Sequence, residues 1–258
     1  QYRGKRINQQ LSKMDSIIPD DFRLLQLDNK NLQASLVVPS LLRFVDVDLL
    51  TQEEMQAFKE ISTWDYVDDA DQIAPTIFHV WKKRLHTAIW FDEFGGNRVY
   101  RFPSFDRTIK LMKDEPNSSW FDNIHTEDKE SLLQLVNSSF KSTVIDLVNR
   151  SGEMGSQWEW GEFREVYIAH LGRLPGFGRI GLNVGGGPGI VNATGRTSGP
   201  SWRMIVSLQP EIKAWGIYPG GQSGNPASPY YDDFVNRWIK GELDELLFLK
   251  TMDVAHVR

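Results

Sequence analysis

The sequence predicts an α+β fold, with helices in the first half of the chain and strands after about residue 155. Before that point, apolar residues recur at spacings of three and four, as they do on one face of a helix. After it, the chain is rich in Gly, Trp and Pro and contains short runs typical of β-strands. Because the helical patterns precede the strands instead of alternating with them, the order favours α+β over α/β.

Local signals predict where the helices begin and end. The first helical region covers residues 20–43 after Pro19, and Pro39 within it predicts a kink or a split into two shorter helices. Thr51 and Glu54 have the spacing of a capping box at the start of the next helix. Further helices are predicted from Pro75 onward, from Ser104 to Asp114, from Thr126 to Gly152, and from Asp232 to Lys240 with Gly241 as its stop.

Four runs in the second half have the composition of strands, and they cover 163–171, 190–193, 202–208 and 214–218. Apolar residues continue across the change near residue 155, so we predict no linker there. A chain of 258 residues can bury a sizeable core. We therefore predict one domain over 1–258, mainly helical over 1–154 and strand-rich with a terminal helix over 155–258.

Composition excludes several classes of function. The formal net charge is −5, from 29 Lys and Arg against 34 Asp and Glu. The sequence has no block of basic residues of the kind that would indicate a nucleic-acid partner. The absence of cysteine excludes a disulfide scaffold, a thiolate zinc site and a cysteine nucleophile. No uninterrupted apolar run is long enough for a transmembrane helix, so we expect no membrane partner either.

Two glycine-rich segments resemble functional loops, but their neighbouring residues do not fit. Segment 185–189 has the glycines of a phosphate loop, yet no Lys-Ser/Thr follows it and Pro188 removes one amide donor. Segment 221–224 contains Ser223 between glycines, but an Asn-Pro pair follows where a serine-nucleophile elbow requires a helix. We predict structural turns at both places.

Metal-binding and sugar-binding patterns are equally incomplete. The five histidines form no HExxH zinc pattern, and the acidic clusters near residues 46–48 and 68–71 lack the Gly and Glu of a calcium loop. The nine tryptophans predict core packing, with a non-catalytic binding module for sugar or peptide capture as the alternative. Considered alone, these residues contain no complete catalytic constellation.

Several motifs resemble those of the penicillin acylase family. Residues 158–162 (Trp-Glu-Trp-Gly-Glu) look like a family signature, and residues 219–233, which run from a Pro-Gly-Gly-Gln-Ser-Gly turn to Tyr-Tyr-Asp-Asp, are the most specific match. Residues 2–7 are similar to the arginine-bearing segment at the start of the family's helical part. Gln72 and Pro75 depart from the pattern, since small residues are expected there.

This resemblance implies an N-terminal-nucleophile hydrolase with a four-layer αββα sandwich, in which the chain is the C-terminal part of the large β chain. In that family a precursor cuts itself, and the new N-terminal Ser attacks an amide carbonyl with its own α-amine as the base. An Asn and a backbone amide hold the oxyanion. Both the nucleophile and the oxyanion Asn precede the arginine segment, so we expect both to be missing from a chain that starts at Gln1.

Arg3 is the single active-site residue that the resemblance transfers to this chain. Its guanidinium would hold the oxyanion side chain or a substrate acceptor, and the alternative is a solvated N-terminal arginine. We expect no cofactor in this chain, with calcium left open for the complete enzyme. The expected partners are the upstream part of the same precursor and a small acyl amide, which could be penicillin, an acyl-homoserine lactone or a peptide-like amide. The family also implies a periplasmic or secreted location.

Overall fold

A computed structural model describes residues 2–95 and 101–248 of the chain. They form two compact units: the first consists of the described residues within Gln1–Lys30, Asp68–Ala70 and Arg164–Arg258, and the second of those within Asn31–Val67 and Asp71–Phe163. The helices in chain order are α1 Tyr2–Leu11, α2 Pro19–Gln26, α3 Leu32–Leu42, α4 Gln52–Thr63, α5 Ala74–Phe94, α6 Phe105–Asp114, α7 Leu132–Ser151, α8 Trp160–Arg164 and α9 Phe234–Lys240. The strands are β1 Val166–Ile168, β2 Arg179–Leu182, β3 Arg203–Ser207, β4 Lys213–Ile217 and β5 Asp244–Leu246.

The α+β prediction is confirmed, because every strand in the described part of the chain lies after residue 165. Among the described helices, none is both long and apolar enough to cross a bilayer. The two units have different architectures: the second is built from helices alone in its described residues, and the first combines helices with two small sheets.

The second unit has a helical core around α5. The predicted stripe of Phe78, Trp81, Leu85 and Ile89 is buried, and α5 packs against α7. The Trp81 indole N–H donates to the Ser139 hydroxyl at 3.1 Å, which satisfies a polar atom inside this core. The apolar stripe of α5 therefore lies at the centre of the unit, as its periodicity predicts.

Capping side chains start several of the described helices. The capping box at α4 is confirmed, since the Thr51 amide donates to Glu54 Oε2 at 2.9 Å and the Glu54 amide donates back to Thr51 Oγ1 at 3.3 Å. Ser104 caps α6 as predicted. The predicted start of α7 at Thr126 is wrong, because Ser131 makes a capping box with Gln134, whereas the Thr126 hydroxyl donates to a turn carbonyl.

The helical region over 20–43 divides at a different place from the one predicted. Pro39 lies within α3, and the break falls between Gln26 and Leu32. The Asn31 side chain accepts from the Ala34 amide at 2.9 Å and starts α3. The break has a tertiary cause as well, because the Asn29 carbonyl accepts from the Asp68 amide instead of continuing the helix.

The first unit holds two antiparallel sheets. β1 pairs with β2, and a second sheet has the strand order β3-β4-β5. The predictions over 202–208 and 214–218 are confirmed as β3 and β4, and β1 is a short part of the predicted 163–171 run. The predicted strand over 190–193 is wrong, because this segment is a bend: the Ile190 amide donates to the Gly187 carbonyl in the same loop, and the Asn192 amide donates to the Asp28 carbonyl.

One face of the three-stranded sheet leaves apolar side chains exposed. Along β3, Arg203 and Ile205 are buried, whereas Met204 and Val206 point to the other face and are exposed. Leu208, just beyond the strand, is 84% exposed. β3 also forms an edge of the sheet, since it pairs only with β4 among the described strands. We call this surface the open face of the sheet.

Candidate functional site

A glycine-rich loop between β2 and β3, residues 184–195, lies at the centre of the polar groups of the first unit. Asn192 and Thr194 in this loop are buried, and so is Asp68. Buried polar groups must find hydrogen-bond partners, and here arginine side chains supply many of them. The arginines come from three distant parts of the chain.

Arg164, at the end of α8, binds the two ends of the loop together. Its Nη1 donates to the Thr194 carbonyl at 3.0 Å and to the Thr194 hydroxyl at 3.2 Å. Its Nη2 donates to the carbonyls of Val184 and Gly185. Burial lowers the pKa of Arg164 to about 10, and the nearby Asp68 carboxylate opposes this shift. The guanidinium therefore stays charged at neutral pH, and it donates hydrogen bonds to the carbonyls of buried residues.

Arg203, on β3, is a second buried cation. Its Nη2 donates to Asn192 Oδ1 at 2.9 Å, and its Nη1 donates to the Trp238 carbonyl. The guanidinium carbon lies 4.9 Å from the centre of the Trp238 ring, within the range of a cation–π interaction. Burial lowers the pKa of Arg203 to about 10. Within the described residues no carboxylate pairs with Arg203, so an amide, a carbonyl and a π face take the place of a counter-ion.

Asn192 connects the loop with the segment between α2 and α3. Its side-chain Nδ2 donates to Asn29 Oδ1 at 2.9 Å, and Asn29 Nδ2 donates to Asp69 Oδ1 at 2.7 Å. Its backbone amide donates to the Asp28 carbonyl at 3.0 Å. Since Asn192 is 3% exposed, these bonds are shielded from water.

Arg3, the predicted site residue, lies on α1 and contacts the same loop. Its Nε donates to the Ile190 carbonyl at 2.7 Å. Arg6, one turn further along α1, makes a two-pronged ion pair with Asp28, with Nη2 at 2.7 Å from Oδ2. Sequence reasoning missed Arg6, although its spacing of three from Arg3 places both on one side of a helix. The role of Arg3 in catalysis stays a prediction.

Two glycines allow the loop to pack this closely. A Cβ added to Gly185 would lie 2.5 Å from Asn29 Nδ2, and one added to Gly186, where φ is +83°, would lie 2.1 Å from the Asn192 carbonyl oxygen. The amides of Gly186 and Gly187 donate to the carbonyls of Asp68 and Asn192. Because these donors are used within the protein, the geometry agrees with a structural turn and not with a phosphate cradle.

The turn at Ser223 likewise has structural contacts. Its amide donates to the Tyr230 carbonyl at 3.0 Å, and its hydroxyl accepts from the Asn225 amide at 3.1 Å. Neither a histidine nor a carboxylate is among the hydrogen-bond partners of Ser223 in the described residues. This arrangement agrees with the predicted turn and offers no base that could activate the hydroxyl.

The tryptophans lie mostly in the interior. The indole N–H groups of Trp64, Trp90 and Trp158 each donate to a protein acceptor. Only Trp120 and Trp202 are exposed, at 37% and 45%. A sugar platform needs several exposed rings on one surface, so this distribution favours core packing over a tryptophan-based binding module. The buried tryptophans are Trp64, Trp81, Trp90, Trp158, Trp160 and Trp238.

The sequence that forms this loop belongs to a chain that matches a known family over almost its whole length. The family model described as penicillin amidase matches residues 1–252. The chain belongs to the penicillin amidase family. Its relatives include an acyl-homoserine lactone acylase, QuiP, from Pseudomonas syringae pv. tomato, which is 31% identical over 209 residues. The QuiP acylase of Pseudomonas syringae pv. syringae is 27% identical over 213 residues.

These alignments cover 72% and 74% of this chain but only 25% and 26% of the relatives. The chain thus spans about a quarter of the length of these acylase relatives. Among solved structures, a thermostable penicillin G acylase from Alcaligenes faecalis aligns with a TM-score of 0.51 at 12% identity, covering 85% of this chain and 44% of that one. The likeness shows the fold, and the family with its acylase members supports an amide hydrolase.

Proposed function

We propose that this chain is the C-terminal segment of the nucleophile-bearing chain of an amidohydrolase that cleaves a linear amide through an acyl-enzyme. The observation that carries the proposal is the family match over residues 1–252 in a chain that spans about a quarter of its acylase relatives. In this proposal the upstream part supplies the nucleophilic Ser and the oxyanion Asn. The Ser hydroxyl adds to the amide carbonyl, its α-amine takes the proton and returns it to the leaving amine, and water then releases the acid.

The contribution of this chain to that chemistry is the guanidinium of Arg3. Its Nε is fixed by the Ile190 carbonyl, and its two Nη atoms have no hydrogen-bond acceptor among residues 2–95 and 101–248. The guanidinium is planar, so its other N–H groups form a fork in one plane, which suits a carbonyl or an amide oxygen. Arg3 would therefore orient the oxyanion side chain or an acceptor on the substrate.

The direct test of the proposed function is the maturation of the complete gene product. We expect the intact precursor to cut itself into a small and a large chain, with Ser as the new first residue of the large chain. N-terminal sequencing and intact mass measure this result. A full-length protein that stays uncut, or that is cut to expose a residue without a hydroxyl or thiol, would contradict the proposal.

Replacing Arg3 by lysine tests the role of the guanidinium in the intact enzyme. Lysine keeps the charge but loses the planar fork, so we expect turnover or self-processing to fall about tenfold or more, as for the loss of one charged hydrogen bond. The fold should stay intact, which circular dichroism can check. Lys5→Ala, on the same helix, is the matched control. Wild-type rates in Arg3→Lys would show that Arg3 is an ordinary surface residue.

The open face of the sheet is the surface that we assign to the upstream part of the precursor. Exposed Met204 and Val206 on an edge strand, with exposed Leu208 just beyond it, favour contact with another polypeptide. We expect the 258-residue chain alone to self-associate and to bind an apolar dye, and Met204→Lys with Val206→Lys to reduce both. Light scattering after size exclusion measures the first effect. A monodisperse wild-type monomer that unfolds cooperatively and binds no dye would argue against this surface.

We propose calcium binding only for the complete enzyme. The described residues contain no group of three or more acidic or histidine side chains that could hold a metal. A periplasmic or secreted location is proposed from the family alone, and cell fractionation of the producing organism would contradict it if the mature protein stayed with the cytoplasm.

A further inference from the structure

We propose that Asp28 and Asn192 are positioning residues that hold α1, and with it Arg3, through polar bonds. The starting point is the helix itself: none of the ten residues of α1 is fully buried. An isolated helix of this length is marginal in water, so α1 depends on contacts with the rest of the first unit. The catalytic part of this inference rests on the proposed function of Arg3.

Asp28 provides the strongest of these contacts. Its carboxylate accepts from Arg6 Nε at 2.9 Å and from Arg6 Nη2 at 2.7 Å, and the two side chains are only 21% and 12% exposed. One carboxylate oxygen also accepts from the Lys30 amide at 3.0 Å, which fixes its direction. A two-pronged pair of this kind restrains rotation as well as distance.

Asn192 connects the two sites that α1 contacts, Asp28 and the Ile190 carbonyl. Its amide donates to the Asp28 carbonyl, and it lies two residues from Ile190, whose carbonyl accepts from Arg3. The Asn192 side chain is held in turn by the buried Arg203. Arg3 and Arg6 are therefore attached to neighbouring parts of one network, and the position of α1 follows from that network.

Hydrogen exchange in the 258-residue chain tests the anchor without any need for activity. We expect the amides of residues 6–11 to be protected in the wild type and to lose about tenfold or more of that protection in Asp28→Asn. Asn192→Ala should act similarly, because it removes the side-chain bonds to Asn29 and Arg203 that hold this part of the loop. Asp20→Asn, which breaks the exposed pair of Arg23 with Asp20 at 2.5 Å, is the matched control.

The amides of β3 and β4 report on the rest of the unit and should keep their protection in Asp28→Asn. If residues 6–11 exchange equally fast in the wild type and in Asp28→Asn, the proposal that Asp28 holds α1 in place is wrong. If β3 and β4 lose protection to the same extent as α1, Asp28 stabilises the whole unit and is not a positioning residue.

Kinetics of the complete processed enzyme test the link to Arg3. Asp28→Asn should lower kcat about tenfold or more with KM within about threefold, and it should cost little when added to Arg3→Ala, since both changes remove the same effect. Additive losses, or an unchanged kcat despite a loosened α1, would overturn the positioning role. An enzyme in which Arg3→Ala has no effect would instead refute the proposed function of Arg3, while an inactive wild type would refute the proposed hydrolase.

Discussion

The 258-residue chain alone is expected to hydrolyse no amide, while the self-processed full-length protein hydrolyses one. In the proposed mechanism the nucleophile, its α-amine base and the oxyanion Asn all come from the upstream part. Loss of a nucleophile leaves at most the small catalysis that binding and oxyanion donors provide, and here the oxyanion side chain is supplied upstream as well. We expect turnover by the chain alone to be at least about 10⁴-fold lower than that of the complete enzyme.

The measurement is a panel of chromogenic amides at neutral pH, with phenylacetyl and long-chain acyl groups, applied to equal amounts of the two proteins. Ser223→Ala in both proteins is the control for an unexpected nucleophile. In the described residues the Ser223 hydroxyl contacts no base and accepts only from the Asn225 amide at 3.1 Å, so its removal should leave the activity of the complete enzyme unchanged. Clear turnover by the short chain that disappears in Ser223→Ala would overthrow the proposed function.

Local signals in the sequence predicted those parts of the fold that neighbouring residues determine. Thr51 and Glu54 lie three residues apart, and their capping box forms as expected. The stripe from Phe78 to Ile89 is buried because its spacing alone directs one helix face to the core. Where two local signals competed, at Thr126 and Ser131, the prediction failed, since only Ser131 is followed three residues later by a capping Gln.

Contacts between distant residues could not be predicted in the same way. The 190–193 segment has strand-like composition, but Asn192 bonds to Asn29, which is 163 residues away. The hydrogen bond from Arg3 to Ile190 joins residues 187 positions apart, so no local sequence pattern predicts it. Arg3 entered through the family resemblance, whereas Arg6, Asp28, Asn192 and the buried Arg203 appear only when the fold brings them together.

Gly186 offers the sharpest test of how tightly this network is packed. An alanine in place of Gly186 must adopt the left-handed backbone conformation at φ +83°, and its Cβ would lie 2.1 Å from the Asn192 carbonyl oxygen. Gly189 has the same φ of +83°, but nothing lies within 4 Å of an added Cβ there. Gly189→Ala therefore carries the backbone strain alone, about 1 kcal/mol or somewhat more. Gly186→Ala adds a clash with backbone, for a total of about 3 kcal/mol or more.

The total expected for Gly186→Ala is a large fraction of the stability of an ordinary domain, so this variant should lose much of its folded population. Urea unfolding of the two alanine variants and the wild type, followed by the fluorescence of the buried tryptophans, measures the difference. Since the two glycines share a φ of +83°, the gap between the variants reports mainly the close approach to Asn192. Equal midpoints for Gly186→Ala and Gly189→Ala would mean that the loop moves away from Asn192 at little cost, and the network around Asp28 would then be too loose to hold α1 in place.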